Sequence, residues 1–203
     1  MSKKLNIEKM NQEVIKTGNI LKLWIVLILF ITGCTSTSKY KIARNFYQKG
    51  NYVAAIQQYD SFLEKSSNGA LITKAEIERA ESYYQLGLTS YEKENWALAG
   101  RLFYLSNSNY ADEKLDDCYY QLALKAREQN DIDRTLEYYD YIISHLPSSD
   151  MMSSVLYDRI LIYSELGEKR LALKDYDQLW LYFPQSEYID KIEATVSPII
   201  SEE

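Results

Sequence analysis

Residues 82–87 read Ser-Tyr-Tyr-Gln-Leu-Gly and residues 118–123 read Cys-Tyr-Tyr-Gln-Leu-Ala. The same block is thus written twice, 36 positions apart, and differs only at its two ends. A unit of this length cannot bury an apolar face alone, so a chain that repeats it must stack neighbouring units on one another. The repetition extends beyond the block. A small-residue column runs Ala55, Ala99, Thr135, Ala172, at offsets of 44, 36 and 37. Four positions on stand Tyr59, Phe103, Tyr139 and Tyr176, and three beyond those come Phe62, Ser106, Ile142 and Leu179. Steps of four and three fall on one face of a helix. Upstream, Ala43, Gly87, Ala123 and Ile160 form the matching column of a preceding helix.

Each unit therefore reads as helix, short turn, helix. Gly50, Asn95, Asn130 and Gly167 stand where the first helix of each unit should end, since glycine and asparagine tolerate the left-handed backbone of a helix stop. Pro147 and Pro184, 37 apart, close the second helices of the last two units. Only 7 Gly and 3 Pro occur in 203 residues. That is too few for a chain of many short strands and their turns.

These columns resemble the tetratricopeptide repeat (TPR), from residue 39 to about 184. The resemblance implies an all-α, TPR-like α-solenoid of antiparallel helix pairs, with about four repeats and a closing helix. The closing helix is placed at Ser186 to about Ile200 and limited by Pro198. Thr135 and Ile160 depart from the family's small residues, and the spacing of 44 implies an extended helix from about Leu71 to Glu94.

Residues 1–33 differ from all that follows. Lys3, Lys4, Lys9, Lys16 and Lys22 precede the uncharged run Leu23–Ile31. That run is shorter than the roughly 20 residues a membrane-crossing helix needs, and it has the form of an export signal, with Met1 or Met10 as its start. It ends Leu29-Phe30-Ile31-Thr32-Gly33-Cys34, which resembles a bacterial lipobox. The resemblance implies cleavage before Cys34, lipidation of that cysteine, and a tether over residues 34–38. A plain signal peptide with an incidental cysteine is the alternative. Removing residues 1–33 takes five Lys and two Glu, which leaves 18 basic and 27 acidic residues, a net charge of −9. Such a chain suits neither nucleic acid nor an anionic lipid surface.

No catalytic constellation emerges. The single His145 reads as a helix C-terminal residue. Cys118 aligns with Ser82 and reads as a small packing residue. The runs Asp112–Asp117 and Asp131–Asp133 lack the alternating ligands and central glycine of a calcium loop and read as solvated helix starts. No cofactor, metal or small-molecule substrate is expected.

The 19 tyrosines remain. By the family's pattern, Tyr83 and Tyr119 would pack between helices. Tyr40, Tyr84, Tyr120 and Tyr157 would line a concave groove beside Leu88, Tyr91, Leu124 and Arg127, ready to take a protein partner. A register one residue off would instead place them in the core.

A lipobox cysteine, a short tether and the run from Tyr40 to Ile56 resemble the BamD family of outer-membrane β-barrel assembly lipoproteins. The link Tyr182–Tyr188 is also similar to those of the TPR region of Tol–Pal-associated proteins. Together they imply a non-enzymatic, lipid-anchored scaffold for protein partners, in the bacterial cell envelope at the periplasmic side of the outer membrane. An adaptor in a Tol–Pal, cell-wall, secretion or pilus process is the alternative.

Overall fold

The computed structural model describes residues 37–67 and 69–192. The described residues are helical with no strand: α1 (37–48), α2 (Tyr52–Leu63), α3 (Gly69–Tyr91), α4 (Trp96–Ser106), α5 (Asn109–Glu128), α6 (Ile132–His145), α7 (Met152–Glu165), α8 (Lys169–Tyr182) and α9 (188–192). The all-α, TPR-like class expected from the repeat is the one found. Two expectations on boundaries are adjusted. Helix α1 takes in Thr37 and Ser38, which the sequence assigned to the tether. Of the closing helix, 188–192 is described, and the remainder to Ile200, like residues 1–36 with Cys34, lies outside the described residues.

The described residues divide into two compact units, with the boundary between Ser82 and Tyr83. In the first, Ala43, Ala55, Tyr59, Phe62 and Ala75 are fully buried together. In the second, α4 packs on α5, α5 on α6, α6 on α7 and α7 on α8. The small column Ala55, Ala99, Thr135 and Ala172 is fully buried throughout, as are Tyr59, Phe103 and Tyr139 of the aromatic column. Tyr176 is only half-buried. The spacing of 44 resolves as α3, 23 residues long, which gives Ala75 to the first core and Tyr84, Leu88 and Tyr91 to the second.

The twice-written block differs at its end for a steric reason. A Cβ on Gly87 would stand 2.6 Å from a ring carbon of buried Phe103, closer than real contacts allow, so the position that holds Ala123 in the next unit holds glycine here.

All four turns within pairs share one construction. Gly50, Glu94, Asn130 and Gly167 adopt left-handed backbone, with φ of 71°, 54°, 59° and 74°. The next residue's N–H then reaches back to a carbonyl of the ending helix: Asn51 to Phe46, Asn95 to Ser90, Asp131 to Ala126, at 2.9 Å, and Glu168 to Tyr163 at 2.8 Å. This is the Schellman closure of a helix C-terminus. That same residue caps the following helix. Asn51, Asn95 and Asp131 accept through their side chains from the N–H of Ala54, Leu98 and Arg134, whereas Glu168 makes no such bond.

The expectation that Asn95 itself stops the helix is corrected: Glu94 takes the left-handed position because the Asn95 side chain is committed to capping α4. A left-handed backbone costs a residue with a Cβ roughly 1–2 kcal/mol. Glu94→Gly should therefore raise stability by about 1 kcal/mol, after the added entropy of glycine in the unfolded chain is subtracted. A urea midpoint unchanged or lowered, at unchanged slope, would contradict this.

Candidate functional site

The eight residues assigned to a groove do not share one environment. Tyr40 is the clear correction. It is 5 % exposed, with its ring 6.2 Å from that of Tyr59 and 5.7 Å from that of Phe62. Its side chain is core because α2 and the first half of α3 close over that face of α1. Burial, followed by the neighbouring Glu78, raises the pKa of its hydroxyl.

The others are half-buried and mostly engaged. Tyr84 packs on Phe103 at 5.6 Å and edge-on to Tyr110 at 4.6 Å. Leu88 and Tyr91 lie against the same core. The Tyr91 hydroxyl donates to Asp117 at 2.8 Å and is pushed up to about 12, by burial first and then by that bond. Tyr120 donates to Asp158 at 3.0 Å, and Arg127 donates to both oxygens of Glu165 at 2.9 Å. Tyr157 stacks on Tyr188 at 4.6 Å. Leu124 is half-buried beside them on α5. Tyr120 and Arg127 thus tie α5 to α7.

The division of each tyrosine pair into a core and a groove member is also corrected: Tyr83, Tyr84, Tyr119 and Tyr120 are all half-buried. Tyr84 meets Phe103 of the paired α4 and Tyr110 at the start of α5, and Tyr120 meets Tyr139 of the paired α6 and Asp158 of α7. The fully buried tyrosines are Tyr59 and Tyr139, on the second helices.

Sequence reasoning missed the carboxylates that receive these hydroxyls. Tyr59 donates to Glu78, and Tyr139 donates to Asp158 at 2.9 Å, each across a separation of 19 residues. Asp158 therefore accepts two hydroxyls, those of Tyr120 and Tyr139. Burial is the larger cause that raises both of their pKa values, with the Asp158 charge second. A signal existed. Phe103, which has no hydroxyl, is followed 19 residues on by Leu122, which is not acidic.

The Cys118 thiol is fully buried and pushed up to about 12 by burial and then by Asp117 and Asp116; a thiol so protonated is a poor nucleophile. His145 ends α6 as expected. The run Asp112–Asp117 is not wholly a solvated helix start. Asp116 is 2 % exposed and accepts from Ser149 Oγ at 2.7 Å, because α5 begins at Asn109 and turns that residue inward. Among the described residues no group of three or more His, Cys, Asp or Glu is placed to hold a metal ion. No described helix is long and apolar enough to cross a membrane.

Residues 37–68 match the tetratricopeptide repeat. The matched stretch covers α1, α2 and the connection that follows, and its boundary at residue 37 agrees with the start of α1. Helix pairs of this repeat are protein–protein interaction modules, and the later pairs reproduce its turns and buried columns. No curated protein matches the chain.

Proposed function

We propose that the protein is a non-enzymatic scaffold, anchored by lipid at Cys34 to the outer membrane of a bacterial envelope and facing the periplasm. There it binds protein partners in outer-membrane protein assembly. One juxtaposition carries this reading: a tetratricopeptide repeat that begins at residue 37, three residues after a lipobox-like Cys34. So short a tether would hold the repeats at the bilayer surface. Two or three acyl chains on one cysteine give a lasting anchor where a single chain would not.

Labelling with a palmitate analogue in the native host should mark the wild-type chain and be lost in Cys34→Ser. Label that persists in the variant would exclude this anchor. A photo-crosslinker placed at half-buried Leu124 should yield an adduct with an envelope protein; its failure, together with empty affinity capture from membranes, would exclude the scaffold. A second reading, an adaptor that uses an outer helix face, is favoured by one observation: Leu98, Tyr104 and Leu105 of α4 are 44 %, 64 % and 50 % exposed.

A further inference from the structure

Across α4, α5 and α6 an aromatic strip reaches the surface of the second unit. Tyr119 stacks on Tyr141 at 3.9 Å and 16°, and Tyr141 stacks on His145 at 4.5 Å and 15°. Exposed Tyr104 lies close enough to act on both tyrosine hydroxyls. Exposed His145 ends the stack and also lines a cleft of about 470 Å³, formed with the first half of α5 and the turn 146–150.

Asp112, Glu113 and Asp150 line the same cleft and are exposed. Among the described residues none of the three forms an ion pair. An aromatic stack that reaches the surface at His145 thus borders carboxylates without ion-pair partners, in a chain of formal net charge −6.

From this pairing of an aromatic stack that ends in exposed His145 with an uncompensated acidic cleft, we propose that the α4–α5–α6 face docks an arginine-bearing segment of a protein partner. Charge complementarity selects the occupant. A guanidinium is planar, stacks on aromatic faces and meets carboxylates in a fork, whereas an ammonium offers only its charge. The apolar residues of the same segment would lie along Tyr104 and Leu105. The proposal rests on the scaffold reading, and it places the contact on an outer face rather than in the groove.

The test uses the full chain purified from membranes and a fluorescein-labelled peptide of alternating arginine and leucine. Binding at micromolar to submillimolar Kd is expected, and several-fold weaker binding of the lysine version. Asp112→Asn/Glu113→Gln/Asp150→Asn should weaken the arginine peptide at least tenfold, and His145→Ala/Tyr104→Ala at least threefold. Neutralising three carboxylates elsewhere, at Glu92, Glu94 and Glu128, should change it less than twofold. All of these positions are exposed, and an unchanged thermal midpoint shows that each variant is folded.

No binding below 1 mM, equal losses in the two charge variants, or no preference for arginine over lysine would overturn the proposal. If the Leu124 adduct forms while the peptide fails, the scaffold stands and this surface is not its site.

Discussion

Arg159→Met is expected to lower stability by roughly 3–5 kcal/mol at neutral pH, the usual cost of stripping one partner from a buried ion pair. Arg159, on α7, has a side chain 11 % exposed and reaches Asp140 of α6 at 3.0 Å and Asp175 of α8 at 3.0 Å. The second contact is an ion pair without hydrogen-bond alignment. The aligned bond runs from Nη2 to Asp175 Oδ1 at 3.4 Å, and the same nitrogen donates to the Tyr163 hydroxyl at 3.3 Å. Asp140 is 61 % exposed and loses little when the guanidinium goes, whereas Asp175 is 2 % exposed and loses nearly all compensation.

Burial outweighs even the wild-type pairing. The Asp175 carboxyl is raised from 3.8 to about 6 by burial, against the lowering effect of Arg159. Because its folded pKa lies above the unfolded one, this group's favourable contribution is complete below about pH 3.8 and is lost as pH rises through 6. The loss amounts to about 3 kcal/mol.

In Arg159→Met the carboxyl moves higher still, so its penalty should continue to grow above pH 6 and shrink in acid. Asp175→Asn should flatten the pH 4–6 slope relative to wild type, and Arg159→Met/Asp175→Asn should recover most of the stability lost by Arg159→Met. Urea unfolding of the four proteins at pH 4.5, 6 and 8 checks this. A pH-independent deficit in Arg159→Met, or no rescue by the second substitution, would show that packing and not charge is at issue.

Nothing in the sequence pointed to that pair. In the column of Asp175 the other units carry Gln58, Leu102 and Tyr138, so the repeat supplies no reason for a buried acid there. The turns and the fully buried columns were legible because both are dictated locally or by period. Gly50, Asn130 and Gly167 mark left-handed stops, and steps of three and four locate the face that the helix of the same pair covers.

Glu94 was not legible, since Asn95 beside it satisfies the chemistry of a stop equally well. The tyrosines failed for a different reason. Every inner helix of a repeat array is covered on two sides, by its own pair and by the next, so its flanking residues end half-buried and a single period cannot allocate them. Tyr40 went to the core and Tyr120 became a tie between helices for that reason.

The tie itself leads to a second large effect. Asp158→Leu should cost roughly 2–5 kcal/mol, because it orphans two hydroxyls at once and each buried unsatisfied group costs about 1–3 kcal/mol. Tyr139 is fully buried and bears the larger part, while half-buried Tyr120 can find water more readily. The chain already contains the apolar alternative. Phe103 carries no hydroxyl where Tyr139 does, and Leu122 stands where Asp158 does, yet Phe103 is 1 % exposed and fully packed.

Replacing all three partners, as Asp158→Leu/Tyr139→Phe/Tyr120→Phe, extends that arrangement to the third position and should restore stability to within about 1 kcal/mol of wild type, since loss of both sides of a buried hydrogen bond can be nearly neutral. Tyr139→Phe alone should cost only about 0.5–1.5 kcal/mol, because Asp158 keeps Tyr120 as a donor. Such strong coupling between three positions is the mark of a shared network. Additive losses across the triple variant, measured by denaturant unfolding, would instead mean that Asp158 acts on each tyrosine separately. The acid would then not be the element that fixes how α7 sits on α5 and α6.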